Sequence, residues 1–311
     1  MLRALSTTRG RTVRLRQVSV AVIATAMMVG AAACGSSSKS SSSGTTAAGG
    51  GTAGTCGDVT IAKVSGFTPV HADTLTVVTS LPGPGFWEGS DTDPNQIKAG
   101  YEYCIAKAFQ GAFGLKNLTV RNEGFDALVA GTVTDFDVAL SQSSITDDRK
   151  KVVDFSDPYF ESQQGVLVKK GGSVKVTTVD EAKKIQWGVQ TGTTAIDMLD
   201  SLIKPDKKQQ VYQNLADAYA ALDAGQLDAV LIDTAINLGE AARSNGKFVV
   251  VSQFAQPSGP DEYGAIFPKG SKNVAAVNSA LKELKDGGKL TALAKSQLTA
   301  DPGTIPTIKL G

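Results

Sequence analysis

From Thr74 onward the sequence predicts an α/β fold, because short β-branched runs alternate there with helical stretches. The roughly 240 residues available suffice for one large or two small domains. Leu75–Thr79, with Val77 and Val78 set among threonines, opens the pattern as a strand, and Asn95–Phe113 follows as a helix. Leu118–Arg121 reads as the next strand, Phe125–Ala130 as a short helix and Asp137–Leu140 as a buried strand. Val152–Phe155 and Gly165–Lys169 are two further extended segments. The middle of the chain repeats the alternation: helix Val179–Lys184, strand Gln186–Gln190, helix Thr193–Ile203, strand Gln209–Tyr212. Helix Leu215–Asp223, strand Ala229–Asp233, helix Thr234–Ser244 and strand Phe248–Gln253 continue it. A strand at Tyr263–Phe267 and helices at Lys272–Lys285 and Leu290–Leu298 close the chain. No internal repeat of solenoid length appears.

The segment before this domain has a different character. Arg3, Arg9, Arg11, Arg14 and Arg16 precede an apolar run from Val18 to Ala33, the order of a positive n-region and a short h-region. Sixteen residues are marginal for a hydrocarbon core about 30 Å thick, and the flank after Cys34 is Gly and Ser without a basic cluster. Ala31-Ala32-Ala33-Cys34-Gly35 resembles a lipobox, though such boxes more often carry Leu where Ala31 stands. The resemblance implies a signal peptide over residues 1–33 and a diacylglyceryl group on Cys34. Two acyl chains anchor a protein firmly where one does so only marginally. Residues 34–55 are almost entirely Gly, Ser, Thr and Ala, a composition that cannot bury enough apolar surface to fold and reads as a tether. Residues 56–73 form a lead-in to the first strand. The expected location is the outer face of a cell membrane, or the periplasm where an outer membrane exists.

Composition bounds the chemistry. Removing residues 1–33 takes five arginines and no acidic residue, so 31 basic against 30 acidic side chains becomes 26 against 30, about −4. Nothing in that balance recommends nucleic acid as a partner. His71 is the single histidine, which argues against a Ser-His-Asp site or a multi-histidine metal site, and no cofactor is expected. With Cys34 assigned to lipid, Cys56 and Cys104 remain in a compartment where disulfides persist. A Cys56–Cys104 bridge is the preferred reading, and two separate buried thiols the alternative.

Several motifs occur in a fixed order. Phe125-Asp126-Ala127-Leu128, Phe136-Asp137-Val138-Ala139-Leu140, Ser144-Ile145-Thr146-Asp147-Asp148-Arg149 and Asp154-Phe155-Ser156-Asp157-Pro158-Tyr159-Phe160 are the first four. Gly188-Val189-Gln190-Thr191-Gly192-Thr193-Thr194, Ala224-Gly225-Gln226-Leu227-Asp228-Ala229-Val230-Leu231-Ile232-Asp233 and Tyr263-Gly264-Ala265-Ile266-Phe267-Pro268-Lys269-Gly270 follow. Between about Thr74 and Leu298 the chain resembles the family 3 extracellular solute-binding proteins, the polar amino-acid receptors of ABC importers. The resemblance implies a two-lobed periplasmic-binding-protein-like fold of type II, with two crossovers near Phe160–Gln164 and Pro257–Glu262 and a ligand cleft between the lobes. Lobe one would hold residues 74–160 and 262–311, lobe two residues 161–261, and closure would be hinge motion. It further implies a monomer whose partners are a free amino acid and an ABC permease with its ATPase.

The resemblance also assigns residues. Arg149 would grip the ligand α-carboxylate, for which a planar guanidinium fork is suited; taken alone, it would read as a surface arginine among Asp147, Asp148, Lys150 and Lys151. Asp233, at the carboxyl end of a strand where clefts form in α/β sheets, would receive the α-ammonium. Gln142 and Ser144 match positions that offer backbone groups or a hydroxyl. Thr193 and Thr194 open a helix whose first N–H groups favour an anion, although a Thr N-cap serves structure equally. Phe125, Phe86 and Trp87 are candidates for the side-chain wall, or else core residues. Where the family usually has Asp, Gly100-Tyr101-Glu102-Tyr103-Cys104 ends in a cysteine, which supports the disulfide. The loop 82–98, with Glu88, Asp91 and Asp93, is long for the family and leaves the side-chain preference open. Two other functions fit such a scaffold: a sensor that signals to a membrane kinase, and an enzyme, for which no spare general acid or base is evident.

Overall fold

A computed structural model describes residues 56–298 and 301–311. The first sheet is built from β1 (Thr74–Thr79), α1 (Tyr101–Ala112), β2 (Asn117–Asn122), α2 (Phe125–Val129), β3 (Val138–Ala139), α3 (Asp147–Lys150) and β4 (Val153–Phe155). The chain then crosses through β5 (Phe160–Ser162) into β6 (Gln164–Lys169), α4 (Val179–Lys183), β7 (Trp187–Gln190), α5 (Thr194–Met198), β8 (Gln210–Tyr212) and α6 (Leu215–Asp223). Next come β9 (Ala229–Asp233), α7 (Thr234–Arg243), β10 (Phe248–Ala255), the returning β11 (Asp261–Tyr263), β12 (Ile266–Pro268), α8 (Val274–Asp286), α9 (Lys289–Gln297) and β13 (Thr307–Lys309).

The strands form two mixed sheets, ordered β2-β1-β3-β12-β4 and β13-β10-β6-β9-β7-β8. Between them β5 and β11 run antiparallel as a two-stranded ribbon, Glu161 opposite Glu262, and so form the two crossings. The central strand β9 is buried along its whole length. Its residues alternate between two apolar layers, Ala229 and Leu231 facing one and Val230 and Ile232 the other, as a strand covered on both faces must. The architecture is the two-lobed type II fold.

Several expectations change in detail. The helix expected over Asn95–Phe113 is split, because Gly100 at φ 113° starts α1 and the preceding Pro94–Gln96 forms a 3-10 turn capped by Asp93. A Cβ at Gly100 would lie 2.2 Å from the Phe86 carbonyl oxygen, so the break holds the loop against the helix start. The chain end is not part of the first lobe as expected for residues 262–311. β13 pairs in parallel with Gln253–Ala255 of β10 on the second sheet, where Ile308 and Leu310 join the apolar layer. The lead-in lies on the first lobe: Cys56 is bonded to Cys104 of α1 with Cα atoms 5.3 Å apart, and Phe67 stacks on Phe113 at 4.0 Å. Asp137 fastens its end, accepting from Val70 N and Thr76 N, both at 2.7 Å. Among the described residues no helix is long and apolar enough to cross a membrane. Cys34, the leader and the tether lie outside the described residues.

Candidate ligand-binding site

The two sheets meet across a small cleft whose atom-free space, part of it open to solvent, is about 360 Å³. Arg149 enters it from α3. Thr146 caps that short helix, its hydroxyl accepting from Arg149 N at 3.2 Å, so the Ile-Thr-x-x-Arg pattern is a capped turn that aims the arginine inward. The side chain is 8% exposed although flanked by four charged surface residues. Nη1 donates to Ser144 O at 2.6 Å and Nη2 to Gly192 O at 2.8 Å, the latter across the cleft. The guanidinium carbon lies 5.3 Å from the centre of the Phe125 ring. Arg149 makes no salt bridge among the described residues: its polar partners are carbonyls, and burial presses its pKa down against the opposing pull of Asp233, Asp261 and Asp197.

Asp233 reaches the same cavity from the other lobe. It stands at the N-cap of α7, a place where aspartate usually bonds the helix amides, yet it makes no capping bond. The side chain is 3% exposed and Oδ1 has no hydrogen-bond partner. Burial raises its pKa to about 8, with the Asp261 charge adding and the Tyr263 hydroxyl and Arg149 opposing. A buried guanidinium with only carbonyl partners and a buried carboxylate with an unpartnered oxygen thus line one cavity. An unpaired buried charge is costly, so the pair is matched to a solute bearing both an anion and a cation.

The remaining expected residues divide. Ser144, Phe125, Thr193 and Thr194 line the cavity. The threonine hydroxyls are taken, Thr193 Oγ1 by Gln190 O at 2.7 Å and Thr194 Oγ1 by Asp261 Oδ2 at 3.2 Å, which leaves the opening N–H groups of α5 as their contribution. Gln142 borders the cavity, but its side-chain amide is turned away onto Glu102. Phe86 and Trp87 are not part of the lining, which corrects the expectation of an aromatic wall there. Phe86 packs edge-on to Tyr101 and Phe160 in the core, and the Trp87 indole donates to Glu102 Oε2 at 2.7 Å.

Glu102 was not singled out in the sequence, yet it organises this side of the site. Fully buried, it accepts from Trp87 Nε1, the Gln142 amide, Gln142 N at 2.8 Å and Tyr159 Oη at 2.5 Å. Gln142 sits at φ 45°, a left-handed conformation costly to a non-glycine residue, and these bonds hold it there. The next residues then run along the crossing, with Ser143 O accepting from Gly264 N and Ile145 N donating to Glu262 O. Ser80, Pro82, Ser141, Gln190, Leu215 and Ile236 complete most of the lining; Gln190 ends β7 inside one of the quoted motifs, and the other five carried no signal beyond ordinary loop or helix composition. His71 pairs with Asp135 on the surface, and no cluster of metal-ligating side chains occurs among the described residues.

The lobes touch at a second place. A Cβ at Gly239 of α7 would lie 2.7 Å from the Pro84 carbonyl, so only glycine lets the helix lie on the loop 82–98. One turn further, Arg243 pairs with Asp91 of that loop and with Glu240 of its own helix.

Comparison with known proteins agrees with this architecture. The model of the bacterial extracellular solute-binding proteins, family 3, matches residues 83–299. The glutamine-binding protein GlnH of a Bacillus subtilis ABC transporter is 32% identical over 170 residues, 54% of this chain and 60% of that protein. The chain therefore spans less than two thirds of that relative's length. A probable histidine-binding protein of Neisseria gonorrhoeae is 32% identical over 196 residues, covering 61% of this chain and 70% of the relative. Among solved structures, an ancestral arginine-binding protein bound to glutamine superposes with a TM-score of 0.62 at 29% identity, over 74% of this chain and 100% of that one. The arginine-, lysine-, histidine-binding protein ArtJ of Geobacillus stearothermophilus gives 0.61 at 29% identity, over 74% and 96%. The chain belongs to the bacterial extracellular solute-binding proteins, family 3.

Proposed function

We propose that this chain is the substrate-binding lipoprotein of an ABC importer and captures a free amino acid between two closing lobes. Arg149 pairs with the α-carboxylate, helped by Ser144 and by the amide groups of Thr193 and Thr194. Asp233 receives the α-ammonium, and Phe125 forms a wall. The observation that carries this reading is the sharing of one cavity by a buried guanidinium without a carboxylate partner and a buried carboxylate with an unpartnered oxygen. They come from opposite lobes, so a zwitterion bridging them joins the lobes and favours the closed form. The relatives named above for amino acids and for an ABC transporter support the same reading. The lobes would then be residues 74–160 with 262–298, and residues 161–261 with the returning strand β13, hinged at the β5–β11 ribbon.

Calorimetry against the twenty amino acids, with N-acetyl and methyl-ester analogues, tests the proposal. Binding of a free amino acid that is lost in both analogues is the expected result, and binding of the analogues as tightly as the parent would refute the zwitterion reading. The anchor is proposed on the lipobox-like Ala31–Gly35 and the tether after it. Mass spectrometry of the mature N-terminus is expected to find diacylglyceryl on Cys34, and an unmodified Cys34 or an intact leader would refute it.

A further inference from the structure

The charge inventory of the cavity limits what its occupant can carry. Among the described residues the lining holds one cation, Arg149, and one acidic group, Asp233, which an ammonium beside it would hold as the carboxylate. Both are committed if the occupant is a zwitterion, so this inference rests on the proposed function. The surface left for the occupant's side chain is neutral: Ser80 and Ser141 bring hydroxyls, that of Ser141 already accepting from Ser80 N at 3.0 Å; Gln190 brings its amide oxygen, its Nε2 donating to Gln213 O at 3.3 Å; and Pro82, Leu215 and Ile236 are apolar.

The other charged groups nearby lie outside the lining. Asp261 lies outside the lining and its Oδ2 already accepts from Gln164 Nε2 at 2.7 Å and Thr194 Oγ1 at 3.2 Å. Asp197 acts on Arg149 from outside the lining as well. Glu102 sits behind the cavity with both oxygens doubly bonded to donors. A second negative charge on the occupant would be buried without an opposite partner, and a second positive one would find its nearest spare carboxylate only at Asp261, beyond the lining and already engaged by Gln164 and Thr194.

We infer that the cavity selects an α-amino acid whose side chain is uncharged, and rejects arginine, lysine, aspartate and glutamate. Hydroxyls and a carboxamide can each donate or accept, so amide and hydroxyl side chains fit this surface as well as small aliphatic ones.

Calorimetry of the full chain at pH 7.5 tests this with glutamine, asparagine, serine and alanine against arginine, lysine, glutamate and aspartate. The best neutral amino acid is expected to bind at least about 100-fold more tightly than any charged one. The variant Gln190→Glu, which adds a carboxylate with almost no change of shape, is expected to move the arginine-to-glutamine affinity ratio by about tenfold or more toward arginine. Arginine, lysine, glutamate or aspartate binding as tightly as the best neutral ligand in the unaltered protein would overturn the inference while leaving the amino-acid reading intact. Silence across all twenty amino acids would overturn both. The panel on the unaltered protein decides the question even where the variant folds poorly.

Discussion

Replacing Asp233 by Asn should stabilise the ligand-free protein while abolishing its affinity for amino acids. The folded carboxyl has a pKa of about 8 against an ordinary value of 3.8, chiefly because it is buried. Between those two values the folded chain holds a proton that the unfolded chain has lost. Stability therefore falls as pH rises through that window, and the loss is complete above about pH 8 and absent below about pH 4. The difference corresponds to a ceiling of about 6 kcal/mol. Opening of the lobes, under the proposed function, would hydrate the carboxylate and relieve part of this cost, so a gain of about 1–3 kcal/mol is expected at pH 8. For a chain of this size that is a rise in Tm of roughly 3–10 °C. Thermal unfolding of the parent and Asp233→Asn at pH 4.5, 6, 7 and 8, with and without a saturating amino acid, measures it. The gain should shrink toward pH 4.5, and ligand should stabilise only the parent. A variant no more stable than the parent at pH 8, or a gain independent of pH, would refute the argument that Asp233 is an uncompensated buried charge.

Arg149→Lys should weaken amino-acid binding by at least about 30-fold, because an ammonium cannot keep both carbonyl contacts and offer a fork to a carboxylate; calorimetry reads it. Breaking the Cys56–Cys104 bridge, which spans 48 residues, with a double Cys→Ser change should cost about 4 kcal/mol in urea unfolding. It should leave affinity within about twofold, since neither cysteine lines the cavity. Asp91→Ala removes the loop partner of Arg243, a partly exposed pair, and should weaken binding by only about two- to fivefold, seen as faster ligand release.

Much of the site was legible because a few residue types have few physical uses. The motifs carrying Arg149 and Asp233 keep the order of a known family, and that resemblance assigns them opposite charges at a cleft. Phe86 and Trp87 were misplaced because an aromatic residue in a loop gives no sign of which way it faces; here both turn inward, Trp87 onto a buried glutamate. The neutral end of the cavity was invisible for a similar reason. Ser80, Gln190, Leu215 and Ile236 lie on four separate segments, and only folding makes them neighbours.

The sequence by itself determined the α/β alternation and offered the pairing of Cys56 with Cys104, and its resemblance to a known family singled out Arg149 and Asp233. These rest on local periodicity, the order of the motifs and counting, none of which needs distant contacts. Tertiary structure alone decided that β13 crosses to the second sheet, that Glu102 holds Gln142 in its left-handed turn, and that Gly239 and Arg243 meet the loop 82–98. Each is a contact between residues far apart in the chain, set by which surfaces become buried together, and a three-residue strand or a single buried carboxylate leaves no periodic trace from which to read it.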